Sequence, residues 1–225
     1  QEVFRDLFGL QFVPASAVGF DRQAAVKGAA IYEDLREKIK ASAVIHADET
    51  SWRNDGIGHF AWYAGNTDLA FFQIDRHRST EVAQSILGSD FGGVLVADRY
   101  AAYNGANAKA RQSCLGHLMT KAKEITRELL LIEDAARDKK AEAFCDKIAT
   151  FFSEACAVGQ ELLSGTLQWD QASLIEKQFV SDLKKLCACK LSYNPAETLR
   201  ISLIGKDKKH LFTFLRHPGV QPTNN

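Results

Sequence analysis

Apolar and polar positions change rhythm along this chain, marking a strand-rich stretch followed by a helical one. Residues 43–48, Ala43-Val44-Ile45-His46-Ala47-Asp48, form a short apolar run that reads as a buried strand ending in a carboxylate. The aromatic run His59-Phe60-Ala61-Trp62-Tyr63-Ala64 follows Asn54-Asp55-Gly56, a strong turn signal. Gly65-Asn66-Thr67-Asp68 is a second turn, and residues 69–74 are a third strand. Ser79 then predicts a helix N-cap, with Val82, Ala83, Ile86 and Leu87 on one face and Gly88 closing the helix. Residues 94–97 give a fourth strand that runs into Asp98.

From about Leu118 to Leu191 the period becomes helical. Residues 124–132 carry apolar groups flanked by charges. Phe144, Ile148, Phe151, Phe152, Ala155, Val158 and Leu162 recur at three- and four-residue steps, an amphipathic helix. Ser164-Gly165-Thr166 breaks it, and Leu174, Ile175, Phe179, Leu183 and Leu186 continue the period in another helix. Asn194-Pro195 is expected to stop that run. Residues 199–204, a break at Gly205 and residues 210–215 then lead into a loop with Pro218, Gly219 and Pro222. Glu161 and Glu197 read as solvated surface charges.

Tight turns make the first three strands antiparallel, and the helix after the third is a crossover. One compact solution sets the fourth strand beside the first, which makes Asp48 and Asp98 neighbours at one edge of the sheet. The expected fold class is therefore α/β: a ribonuclease-H-like mixed sheet with flanking helices and an all-helical block after the second aspartate, which resembles a helical insertion of a known family. Two carboxylates there form a hard oxygen site for Mg²⁺ or Mn²⁺. A pair of ions roughly 3.5–4 Å apart would serve phosphoryl transfer, activating the attacking oxygen and stabilising the leaving one. The competing reading makes each Asp a strand-terminating turn residue.

Four segments carry a resemblance. His46-Ala47-Asp48-Glu49-Thr50-Ser51-Trp52 resembles the first signature of the insertion-sequence-66 family of DDE transposases, and Val96-Ala97-Asp98-Arg99-Tyr100-Ala101-Ala102-Tyr103 resembles its second. Cys114-Leu115-Gly116-His117-Leu118 is similar to the family's Cys-x-x-His element, which follows a strand and opens a helix. Phe214-Leu215-Arg216-His217-Pro218 with Pro222-Thr223-Asn224-Asn225 resembles the run just before the family's catalytic Glu. The four occur in the family's order.

The resemblance implies a DNA transposase catalytic core of a bacterial mobile element, performing metal-dependent strand cleavage and strand transfer with Asp48 and Asp98 as catalytic metal ligands. It implies two Mg²⁺ (or Mn²⁺) ions, DNA as the partner and a homo-oligomer on DNA. It places the third carboxylate a few residues beyond Asn225, and a DNA-end-binding region upstream, so the chain is expected to be inactive alone. Two departures stand out: Arg99 follows the second Asp where the family carries Gly, and Met119, Thr120 and Lys121 replace an arginine pair. The alternatives are a catalytically dead remnant that binds DNA or protein, and a metal-dependent nuclease of the same fold. The expected organisation is a lead-in and helix (1–40), a catalytic core (41–123), a helical insertion (124–195) and a return segment (196–225).

Composition changes this picture little. Apolar residues make up 46% and charged residues 25%, an ordinary globular balance. Lys plus Arg and Asp plus Glu are equal at 28, so bulk charge gives no nucleic-acid signal. Charge is nevertheless clustered at Arg76-His77-Arg78, Lys121 with Lys123, Lys139-Lys140, Lys184-Lys185 and Lys206-Asp207-Lys208-Lys209-His210. Each cluster is a solvated face unless several converge beside the aspartates, where they would hold DNA backbone. Five cysteines without Cys-x-x-Cys spacing, and no secretory leader, predict a reduced, cytoplasmic protein without a membrane span. A zinc site from Cys114, His117, Cys187 and Cys189 runs against its Cys-x-Cys spacing, whereas Cys145 and Cys156 read as core residues on one helix face.

The remaining candidates for DNA contact each carry an ordinary structural alternative. Trp52, Tyr100 and Tyr103 would stack on unpaired bases or cap the sheet's hydrophobic edge. His117 would meet the scissile phosphate or pack at a helix start. Arg99 would clamp a phosphate or pair with Glu49, and Lys121 belongs to a basic cluster. Asn224 and Asn225 would orient the helix carrying the third carboxylate, or serve as an N-cap.

Overall fold

A computed structural model describes residues 2–11, 13–205 and 208–224, which fall into two compact units, Gln1–Lys38 and Ile39–Asn225. The first unit comprises α1 (Glu2–Phe8) and most of α2 (Pro14–Lys40). Apolar side chains such as Phe8, Phe20, Val26 and Ile31 are exposed along it.

Among the described residues the second unit holds five strands, β1 (Val44–Asn54), β2 (Ile57–Gly65), β3 (Ala70–Asp75), β4 (Val94–Ala97) and β5 (Ala110–Ser113). They form one sheet in the order β3-β2-β1-β4-β5. The β1–β2 and β2–β3 pairs are antiparallel, whereas β1–β4 and β4–β5 are parallel. This topology is compatible with a ribonuclease-H-like fold, and it places the fourth strand beside the first, the compact solution expected.

Local chemistry explains the hairpins. Asp55 and Gly56 both have positive φ (50° and 76°), the backbone that a two-residue turn between twisted strands needs. At the second turn the Asn66 side chain accepts the N–H groups of Asp68 and Leu69 at 2.9 and 3.0 Å. The crossover helix α3 (Thr80–Leu87) buries Val82, Ala83, Ile86 and Leu87, and Gly88 leaves it at φ 83°. Ser79 stands at the N-cap position, but its side chain accepts no helix N–H.

Among the described residues four further α-helices follow β5: α4 (Leu115–Leu130), α5 (Lys139–Ser164), α6 (Ala172–Leu186) and α7 (Asn194–Ile204). Val94 and Val96 join one apolar cluster with these helices and with Leu211, Phe212, Phe214 and Val220 of the return segment. Leu95 lies outside that cluster, as alternation of faces along β4 requires. Cys145 is buried on α5 and Cys156 is half-buried.

Two expectations need correction. Asn194-Pro195 does not stop a helix: α6 ends at Leu186, and Pro195 lies in the first turn of α7, where a missing N–H costs nothing. Glu197 is not a solvated charge: it pairs with Arg200 at 2.6 Å, both side chains are largely buried, and it accepts the Leu191 N–H at 2.9 Å. A polar junction that the pattern did not announce holds the helical part together. Asp138 Oδ1 caps α5 by accepting the N–H groups of Lys140 and Ala141, while Oδ2 accepts those of Ser192 and Tyr193 ahead of α7.

Candidate active site

The sequence put both aspartates at strand ends, and the structure corrects one of them. Asp98 directly follows β4, but Asp48 lies within β1, paired with Tyr63 of β2. β1 runs on to Asn54 because β2 continues beside it, whereas β4 stops at Ala97. The parallel register pairs Val44 with Val94, Ile45 with Leu95 and His46 with Val96. Two more steps bring Asp48 level with Asp98, where the ladder between their strands has opened. Both strands are central, so the pair sits at the end of β4 rather than on an edge strand.

Each carboxylate is oriented by its own backbone. Asp48 Oδ1 accepts the Glu49 N–H at 3.0 Å, and Asp98 Oδ1 accepts the Tyr100 N–H at 2.8 Å. The turn role weighed for Asp98 is thus present, and it coexists with a second oxygen left for another partner. The Asp48 side chain is 40% exposed, and its Oδ2 lies 3.9 Å from His117 Nε2. His117 is pushed up to about 9, chiefly by its hydrogen bond with Cys114; burial opposes this, and the charges of Asp48 and Asp98 add to it. Burial drives the Cys114 thiol upward, but the bonds from His117 and the Asn224 N–H outweigh it and set the thiol below its usual value.

The opposite face of β1 carries a network that sequence reasoning missed. Alternation turns Glu49 away from Asp48, and its side chain is only 1% exposed. Arg78 donates to Glu49 Oε1 from Nε at 2.8 Å and Nη2 at 2.5 Å, and the Tyr103 hydroxyl donates to Oε2. Burial raises the Glu49 carboxyl, the bonds from Tyr103 and Arg78 oppose this, and the Asp98 charge reinforces it. The Arg78 guanidinium also lies 3.9 Å from the Tyr100 ring centroid, and the Tyr100 hydroxyl donates to the Arg78 carbonyl. The available signal was a charged residue at a core-facing position of an alternating strand.

The structure places the other candidates as follows. Tyr103 is 1% exposed and spends its hydroxyl on Glu49, so its ring is part of the core and offers no platform to a base. Tyr100 is half-buried against Arg78, and the partner of Glu49 is Arg78 rather than Arg99. Arg99 donates to Ser202 Oγ of α7 at 2.8 Å. Trp52 is exposed on the part of the β1–β2 hairpin beyond β4, opposite His59. Lys121 is exposed one turn beyond His117 on α4 and pairs with Glu124 at 3.4 Å.

Asn224 is buried. Its Nδ2 donates to the Ala47 carbonyl at 3.1 Å, and its N–H reaches Cys114 Sγ at 3.5 Å. Leu115 N–H donates to the Pro222 carbonyl at 2.9 Å, so the return segment is tied to β1 one residue before Asp48 and to the start of α4. Asn225 lies outside the described residues.

No group of three or more His, Cys, Asp or Glu side chains forms a metal-holding cluster among the described residues. The donor chemistry of the Asp48–Asp98 pair still fits a hard divalent cation. Mg²⁺ commonly binds through one or two carboxylates, completing its shell with water and substrate phosphate oxygens. Each aspartate keeps Oδ2 without an N–H donor in bonding range among the described residues. No helix among them is long and apolar enough to cross a membrane.

Comparison with known proteins gives one family match: the model described as "Transposase IS66 family" covers residues 1–225. No curated protein matches the chain.

Proposed function

The chain belongs to the IS66 transposase family, and on that premise we propose that it is a catalytic core for metal-dependent cleavage and strand transfer of DNA. The observation that carries this reading is the β1–β4 register, which continues to set Asp48 level with Asp98. These two carboxylates would hold the Mg²⁺ or Mn²⁺ ions. When bound, such ions activate a water or 3′-hydroxyl and stabilise the leaving oxygen at a phosphodiester.

The chain's own residues orient that chemistry. Backbone N–H groups of Glu49 and Tyr100 fix one oxygen of each aspartate, so the other is directed without rearrangement. The Glu49–Arg78–Tyr103 network locks the far face of β1 and prevents Asp48 from rotating with its strand. His117, held charged by Cys114, stands beside Asp48 where its N–H can meet a phosphate oxygen. No side chain need form a covalent intermediate. The Asn224 clamp on Ala47 holds the return segment beside β1, one residue before Asp48. Residues 124–195 serve as a helical insertion, and the protein acts in the cytoplasm as a homo-oligomer on DNA.

Mn²⁺ binding by calorimetry tests the site directly. Binding by the parent that is lost in both Asp48→Asn and Asp98→Asn, with unfolding midpoints retained, supports the assignment. Equal binding by parent and variants overturns it.

A further inference from the structure

In four of the basic clusters one member is paired with a carboxylate. Arg78 is paired with Glu49, Lys121 with Glu124, Lys139 with Asp134 and Lys185 with Asp182. One basic group is different. Beside Asp98 two adjoining cavities of about 250 and 460 Å³ share the same wall of Asn104, Arg111, Lys209 and His210. The smaller reaches Asp98 and Arg99, and the larger extends outward to Lys109 and Arg216. Asp98 is the single acidic side chain lining either cavity among the described residues.

The walls are built rather than incidental. Gln112 of β5 is buried and donates to the Leu211 carbonyl at 2.9 Å, while its Oε1 accepts the Phe214 N–H at 3.0 Å. Thr213 Oγ1 donates to the Arg111 carbonyl at 2.6 Å. These bonds staple the return segment along β5 and bring Lys209 to Arg111, about a hundred positions away in sequence. Arg111 is half-buried and donates to the neutral Asn104 amide, with no carboxylate partner among the described residues. Burial disfavours the Arg111 charge and the Asp98 charge supports it from the same cavity, so an anion entering there adds a direct partner to a partly desolvated guanidinium.

We infer that this cleft is a phosphate track, in which Arg111, Lys109 and Lys209 hold the DNA backbone leading away from the scissile phosphate at Asp98. It rests on the proposed catalytic reading for the identity of the anion, and it adds a path for the substrate on the β5 side of the sheet. Arg111 supplies the fixed fork at the inner end. The exposed Lys109 and Lys209 supply mobile charge further out, as backbone contacts that position DNA without reading sequence.

The test is the salt dependence of binding to a labelled DNA duplex, measured with chelator present so that the metal site plays no part. Lys109→Gln with Lys209→Gln removes two exposed side chains, and Lys184→Gln with Lys185→Gln on α6 is the control. The track predicts that log K against log salt becomes shallower by about 1 per lysine removed in the first variant, while the control keeps the parent's slope. An unchanged slope, an equal loss in the control, absence of DNA binding by the parent, or tighter binding of an RNA duplex overturns it. The catalytic reading fails separately, through Mn²⁺ binding that ignores Asp48 and Asp98. The two failures are therefore distinguishable.

Discussion

The Arg78 guanidinium grips Glu49 at 2.8 and 2.5 Å on the face of β1 that turns away from Asp48. Arg78→Ala leaves a carboxylate that is 1% exposed with Tyr103 as its remaining partner. The expected cost at pH 7 is about 2–3 kcal/mol, less than for a fully buried pair because Arg78 itself is 40% exposed. Urea unfolding measures it, and a cost below about 0.5 kcal/mol would mean that the pair is only a surface contact.

The same carboxyl gives a pH signature. Glu49 is raised above its ordinary value of 4.5 in the fold, chiefly by burial. A raised carboxyl contributes stability that is present below the unfolded value and disappears as pH rises through the folded one. The parent should therefore lose stability relative to Glu49→Gln as pH climbs from 4.5 toward neutrality. Parallel stability curves for the two proteins would refute this.

Asp138 should be the most costly polar truncation in the helical part. Its two oxygens cap α5 and hold the chain entering α7. Asp138→Ala is expected to lose about 2 kcal/mol, the upper end for an N-cap because two further N–H groups lose their acceptor. Asp138 is held below its ordinary 3.8, first by the Ala141 N–H. Its contribution is thus present above that pH and fades as pH falls, so parent and variant should converge in acid.

Glycine to alanine should have opposite signs at two helix positions. A Cβ on Gly159 of α5 would stand 2.7 Å from Pro222 Cγ, so Gly159→Ala should destabilise by about 1–3 kcal/mol and loosen the Asn224 clamp. Gly28 of α2 has nothing within 4 Å of that point, and Gly28→Ala should stabilise its helix by about 0.5–1 kcal/mol. Thermal unfolding and helicity of the two variants separate the cases.

Without metal, Asp48→Asn and Asp98→Asn should each be as stable as the parent or more so. Relief of the repulsion between two like charges at one level of the sheet outweighs the lost attraction to His117, and Asn keeps an acceptor for the backbone N–H that each Asp now binds. A marked loss of stability in either variant would show that the carboxylate is structural.

The sequence by itself determined the parts whose physics is local. A short uninterrupted apolar run announced β4, Asn54-Asp55-Gly56 announced the hairpin through its positive-φ turn, and the three- and four-residue steps from Phe144 to Leu162 announced α5. Short turns and one crossover offered β4 beside β1 as a compact solution, and the sheet has that order. Tertiary structure decided where each element ends and which charges meet. Asp48 lies inside its strand because β2, not β1's own residues, prolongs the ladder. Pro195 starts a helix because the chain is already held at Asp138 when it arrives there. Glu49 chose Arg78 over Arg99, Tyr103 went into the core, and Lys209 came to Arg111, all across separations that carry no periodic signal. Such pairings are set by the packing of distant faces, where burial makes each contact worth forming, and a one-dimensional pattern records only the faces.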